Sequence, residues 1–140
     1  SDARFLLHSW AFGAALYAST IAYLLRYVFQ RDVMTADKLY GAAAAYLMLG
    51  VLWGYLYAIA NHLQPGSFAF GGAVASPLLG DLLYFSFTTL TSTGFGDAVP
   101  LLRYARGQCV LEQLVGALFL AILIARLAGV YPPGRENAGT

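Results

Sequence analysis

The sequence predicts an all-α membrane protein in which three helices cross the bilayer and a fourth, shorter helix enters it and turns back. Three observations carry this reading. Of the 140 residues, 59% are apolar and 11% charged, against roughly 45–50% and about 25% in soluble domains. Charges are absent from residues 5–25 and again from residues 39–80. One further apolar stretch, ending near Thr91, is too short to span and runs into the irregular sequence Ser92-Thr93-Gly94-Phe95-Gly96-Asp97. Eight Lys and Arg against seven Asp and Glu leave no charge excess for nucleic acid, so no such partner is expected. The single cysteine, Cys109, rules out an internal disulfide and gives no zinc pattern.

A helix needs about 20 mainly apolar residues to cross a hydrocarbon core roughly 30 Å thick. The first span runs from Phe5 to about Phe29, making residues 1–30 an N-terminal span with Trp10, Tyr23 and Tyr27 near its ends, where amphipathic rings favour the interface. It is too long for a signal-peptide core. Voltage sensing by regularly spaced arginines is excluded here, because residues 5–25 contain none. Starting outside and without Met, this span suggests that an upstream part has been removed. The second span is expected over 36–61, and its Gly50-x-x-x-Gly54 spacing lets another helix approach closely. The third, over 101–131, contains Glu112 and Arg126, so something polar must lie on one of its sides.

The connections differ in kind. Arg26, Arg31 and Lys38 cluster around a short polar loop, which the positive-inside rule places in the cytoplasm. The first span then starts outside, and the C-terminus, with its short tail 132–140, is cytoplasmic. The tail leaves no room for a regulatory domain. Residues 62–78 hold Pro65, Gly66, Gly71, Gly72 and Pro77 without Lys or Arg, and read as an irregular external turret.

Residues 79–91 form the short helix, roughly 18 Å long and enough for about half a bilayer. Ser76 and Pro77 suit its N-cap and first position, with Asp81 near the first turn. Its C-terminal end points partial negative charge at the membrane centre, a place to stabilise a cation. The following segment, 92–97, must be buried in protein or line water, since irregular backbone does not survive against lipid. Gly94 and Gly96 permit left-handed angles at alternating positions, which turn successive carbonyls to one side. Carbonyls of Ser92, Thr93, Gly94 and Phe95, with the Ser92 hydroxyl beneath them, can replace the water shell of a dehydrated cation.

At Thr89-Leu90-Thr91-Ser92-Thr93-Gly94-Phe95-Gly96-Asp97 and Pro100 the sequence resembles the potassium-channel pore family, whose filter pattern is T-x-G-[YF]-G-D after a pore helix. The resemblance covers about residues 36–130. It implies a pore domain over 36–131, with outer helix 36–61, turret 62–78, pore helix 79–91, filter 92–97 and inner helix 101–131. Selection of K⁺ by backbone carbonyls is the family's known mechanism. The resemblance therefore implies passive potassium conduction, ion sites at Ser92, Thr93, Gly94, Phe95 and Gly96, and an acidic outer mouth at Asp97. It also implies a homotetramer in a bacterial-type plasma membrane, since one chain supplies a quarter of the ring, and no cofactor besides K⁺ as the permeant ion.

Tyr84 and Phe85 match the aromatic pair that supports the filter in the family. Thr88 stands where many members carry a carboxylate, so Asp97 needs a different partner. Ser92 replaces the usual Thr and Thr93 the usual Val or Ile. Gly116, 20 residues after Gly96, is a candidate gating hinge or a packing glycine. Glu112 is expected to bond Thr88, Thr89 or Gln113 behind the filter, and Arg126 to reach the cytoplasmic interface. Two other readings stay open: a weakly selective cation channel, motivated by Thr93 and Thr88, and a non-conducting scaffold subunit. No clustered catalytic set appears, so an enzyme is not expected.

Overall fold

A computed structural model describes residues 2–30, 34–74 and 76–129. Its order is α1 (Asp2–Val28), α2 (Ala36–Leu63), β1 (Phe68–Phe70), β2 (Ala73–Val74), α3 (Leu79–Leu90), β3 (Ala98–Pro100) and α4 (Arg103–Leu127). Among the described residues three helices are long and apolar enough to cross a membrane, over Arg4–Val28, Ala36–Leu63 and Arg103–Leu127. The chain is an all-α membrane protein with one small three-stranded sheet, of order β2-β1-β3.

The starts of α2, α3 and α4 have local causes. The Thr35 side chain caps α2 by accepting the Lys38 N–H, and Asp37 lies in the first turn where the helix dipole favours it. α3 begins at Leu79 with Leu78 as its N-cap, so Ser76 and Pro77 lie before the helix and are not its cap and first position. The Asp81 carboxylate accepts the Leu78 N–H at 2.8 Å, and that bond fixes Leu78 as the cap. α4 begins at Arg103 rather than 101, because the Leu101 N–H is given to the Ser67 carbonyl at 2.8 Å. The expected end of this helix at Tyr131, the tail 132–140 and Arg31 of the basic loop lie outside the described residues.

Pairs of touching residues set the helix directions. Trp10 meets His62 with rings 5.7 Å apart, Tyr17 meets Tyr55, and Gly41 faces Val28, so α1 and α2 are antiparallel. Gly54 faces Leu83, Gly50 faces Phe87, and the Tyr46 hydroxyl donates to the Leu90 carbonyl at 3.2 Å, so α3 runs back down α2. The Gly50-x-x-x-Gly54 spacing thus serves α3, the short helix, whose Phe87 ring and Leu83 side chain fill the space a Cβ would take at either glycine. Along α4, residue 112 pairs with 86 and residue 116 with 90, so α3 and α4 descend together.

Where residues 62–78 read as irregular, α2 continues to Leu63 and β1 and β2 form a hairpin. β1 also pairs with β3 in the register Phe68↔Pro100 and Phe70↔Ala98. This pairing returns the chain at residue 98 to the level where α2 ends. Residues 91–97 therefore regain in seven steps the depth that α3 descended in twelve. A seven-residue helix would rise only about 10 Å, so the return path is stretched.

Two apolar clusters lie at the two ends of α3. Tyr57, Phe68, Leu82, Phe85, Ala98 and Cys109 belong to the upper one, nearest the sheet. Ile21, Val28, Leu49, Leu90, Phe119 and Leu123 belong to the lower one. The buried positions of α4 (105, 109, 112, 116, 119 and 123) form one stripe against α2 and α3. At the lower end Arg126 donates to the carbonyls of Val28 (3.1 Å) and Gln30 (2.9 Å) and lies over the Phe29 ring. At this end of the spans the guanidinium caps α1, where cationic donors meet unsatisfied carbonyls. Replacing Arg126 with Leu keeps the packing and removes these bonds. On the order of 1 kcal/mol of stability should be lost, read as a lower melting temperature of the purified protein.

Candidate ion-conduction site

The site is built from the lower end of α3 and the return path behind it. α3 buries Leu82, Phe85, Ser86, Thr89 and Leu90 on one face, while the whole run from Thr91 to Asp97 is exposed in the single chain. The start of that run is anchored to α3. The Ser92 N–H donates to the Thr89 carbonyl (2.9 Å), and those of Thr93 and Gly94 both donate to the Thr88 carbonyl (2.9 and 3.1 Å). Its far end is held by the sheet, through the Gly71 N–H on the Asp97 carbonyl at 2.7 Å.

Between these anchors the backbone hand alternates. Ser92 (φ 56°), Gly94 (φ 55°) and Gly96 (φ 81°) are left-handed, and the residues between them are not. Two of the three were foreseen from glycine. Ser92 was not, because a side-chain-bearing residue in this region carries a strain of about 1–2 kcal/mol that no sequence pattern announces. Thr93, which stands where the resembled family has an apolar residue, places its hydroxyl 2.8 Å from that of Thr91.

The aromatic pair splits in two. Tyr84 donates to Asp97 Oδ2 at 2.9 Å and stacks on Phe95, with ring centroids 6.5 Å apart and planes 5° from parallel. The Ala98 N–H supplies the other oxygen, Oδ1, at 3.0 Å. The Tyr84 phenol thus serves Asp97 in place of the missing carboxylate partner, and comes from the same helix as Thr88. Phe85 points the opposite way and packs on Tyr57 and Phe68, centroids 5.2 and 5.3 Å away. Thr88 contributes its carbonyl to the return path, while its hydroxyl donates back to Phe85 O at 2.9 Å.

Glu112 is wholly buried between the two apolar clusters. Its carboxyl lies against the Tyr57 hydroxyl of α2 through Oε2 and 2.5 Å from Ser86 Oγ of α3 through Oε1. The expected partners Thr88 and Thr89 turn their hydroxyls back to the Phe85 carbonyl instead, at 2.9 and 2.8 Å, and Glu112 meets Tyr57 and Ser86 in their place. Ser86 and Tyr57 were missed. Their signal was the spacing of Ser86, one turn before Leu90 on the buried face of α3. Gly116 sits within the unbroken helix α4, where an added Cβ would lie 2.5 Å from the Leu90 carbonyl oxygen.

A family model described as an ion channel matches residues 45–131, more than half of the chain, covering most of α2, all of α3 and α4, and leaving α1 outside. No curated protein and no solved structure matches the chain.

Proposed function

This chain belongs to the ion channel family, and on that premise we propose that it conducts potassium selectively and passively through a filter formed by residues 92–96. The alternation of backbone hand at Ser92, Gly94 and Gly96 is the observation that carries the proposal. Such alternation turns the carbonyls of Ser92, Thr93, Gly94 and Phe95 toward one side, where they replace water around a dehydrated K⁺ as the known potassium filters do. Repulsion between ions in neighbouring sites then moves them along.

One chain supplies one strip of carbonyls, so the proposed pore is a homotetramer closed around a fourfold axis. The exposure of the whole 91–97 run, including Phe95 at 70%, supports this, because an apolar ring and stretched backbone in mid-membrane require neighbours. The end of the molecule holding Arg26, Lys38 and Arg126 is proposed to be cytoplasmic. Asp97 then faces the outer solution and its field raises the local cation concentration. The protein is read as a conduit and not an enzyme.

A second reading has its own observation. The paired hydroxyls of Thr91 and Thr93 put polar groups where an apolar side chain packs behind the filter in the resembled family, and a looser filter would pass sodium as well. Liposomes containing only this chain test the proposal. With potassium inside, a barium-blockable efflux is expected, and exchanging potassium for sodium should stop it. Equal sodium flux supports the weakly selective channel, and no flux of either ion supports a non-conducting subunit.

A further inference from the structure

We infer that Glu112 is a positioning residue of the ion pathway, acting as a neutral hydrogen-bond donor that locks α3 between α2 and α4. The inference rests on the reading of residues 92–96 as the filter and concerns what holds that filter at its height.

A count of protons leads to the neutral carboxyl. The Ser86 hydroxyl lies 2.7 Å from the Gly50 carbonyl oxygen and 2.5 Å from Glu112 Oε1. A carbonyl only accepts, and a hydroxyl has one proton to give. Were Glu112 a carboxylate, one of those contacts would bring two lone pairs together with no proton between them, in a place where Glu112 and Ser86 have no exposed surface. A proton on Oε1 removes the conflict: Glu112 donates to Ser86, and Ser86 donates to Gly50. Tyr57 donates to Oε2, and the Cys109 thiol stands 3.5 Å from the Tyr57 oxygen, placed to donate to it. Every contact then holds one proton, and the chain of donors ends on the backbone of α2.

The same chain fixes the relative heights of three helices. Its members come from α2 (Gly50, Tyr57), α3 (Ser86) and α4 (Cys109, Glu112). Sliding α3 by one residue would leave a buried hydroxyl and a buried carboxyl unpaired, each a large penalty away from water. Ser86 lies six residues before Ser92 on a helix whose carbonyls at 88 and 89 hold residues 92–94. Glu112 touches no ion; it sets where the carbonyls begin.

The test compares Glu112→Gln with Glu112→Leu in the full chain, reading the potassium-to-sodium permeability ratio and the melting temperature of the same preparations. Glutamine keeps an acceptor oxygen and a donor group in the shape of the neutral acid, with one N–H more than the bond to Ser86 uses, so the wild-type ratio should be retained. Leucine removes both, and the ratio should collapse toward equal permeation. Ser86→Ala deletes the α3 end of the link with little change in volume; it should lower the ratio too, and it decides the matter if the leucine variant does not fold. A lower melting temperature with an unchanged ratio in Glu112→Leu or Ser86→Ala overturns the positioning role. Loss of selectivity in Glu112→Gln as severe as in Glu112→Leu overturns the neutral donor. A wild-type chain that passes no potassium is a separate failure, of the channel reading itself, and is seen before any variant is measured.

Discussion

Replacing Gly94 or Gly96 with alanine is expected to abolish potassium flux while the protein still assembles. Within the chain, nothing lies within 4 Å of a Cβ added at either position, so crowding is not the obstacle. Backbone hand is. Both residues are left-handed, at φ 55° and 81°, and a side chain there costs about 1–2 kcal/mol. In a tetramer four copies bear that cost together, on the order of 4–8 kcal/mol. The inexpensive escape is a return to negative φ, which turns a carbonyl away from the axis and removes an ion site from the ring. The long helices and both apolar clusters lie elsewhere, so assembly is spared. Flux in liposomes and the mass of the detergent-solubilised complex report the two properties separately. Conduction at the wild-type level in either variant contradicts the filter assignment. Ser92 shows that one such residue is tolerated at the start of the path, where its N–H is held by the Thr89 carbonyl in the last turn of α3.

The second large effect is expected for Gly116→Ala. The three glycines that crowd α3 differ in what a methyl group would strike. At Gly54 it meets Leu83 Cδ2 and at Gly50 the Phe87 ring, both at 2.5 Å and both side chains able to move. At Gly116 it meets the carbonyl oxygen of Leu90, also at 2.5 Å, a backbone group already accepting the Tyr46 hydroxyl. That oxygen moves only if the end of α3 moves, two residues before Ser92. Overpacking of this kind costs about 1–3 kcal/mol per chain. Gly116→Ala should therefore lower the melting temperature of the complex and strongly reduce conduction, with Gly54→Ala the milder of the two. A stable, normally folded Gly116→Ala protein whose opening alone is altered would show glycine to be needed there as a hinge and not for packing.

Much of this arrangement is visible in the residues alone. The two stretches cleared of charge mark α1 and α2, the long apolar run on either side of Glu112 marks α4, and the twelve-residue length of α3 forces it to turn back. The paired glycines of α2 announce a close neighbour without saying which, and the register with Leu83 and Phe87 identifies it as α3. What is illegible depends on contacts between distant parts of the chain. Strands of two and three residues are too short to leave a periodic pattern, and β1 finds β3 some thirty residues further on. The partners of Glu112 depend on which side chains of α2 and α3 reach its height, and those of Arg126 on which helix ends beside α4. Tyr84 bonding Asp97 is a case between these. The sequence shows that Asp97 lacks its usual partner, and only the stretched return path places a phenol 2.9 Å from it.

Whether the alternating backbone at residues 92–96 is a potassium filter is read from the reversal potential of the reconstituted chain under opposed potassium and sodium gradients. A carbonyl filter gives a current that reverses close to the potassium equilibrium potential. A current that reverses midway between the two equilibrium potentials would contradict it.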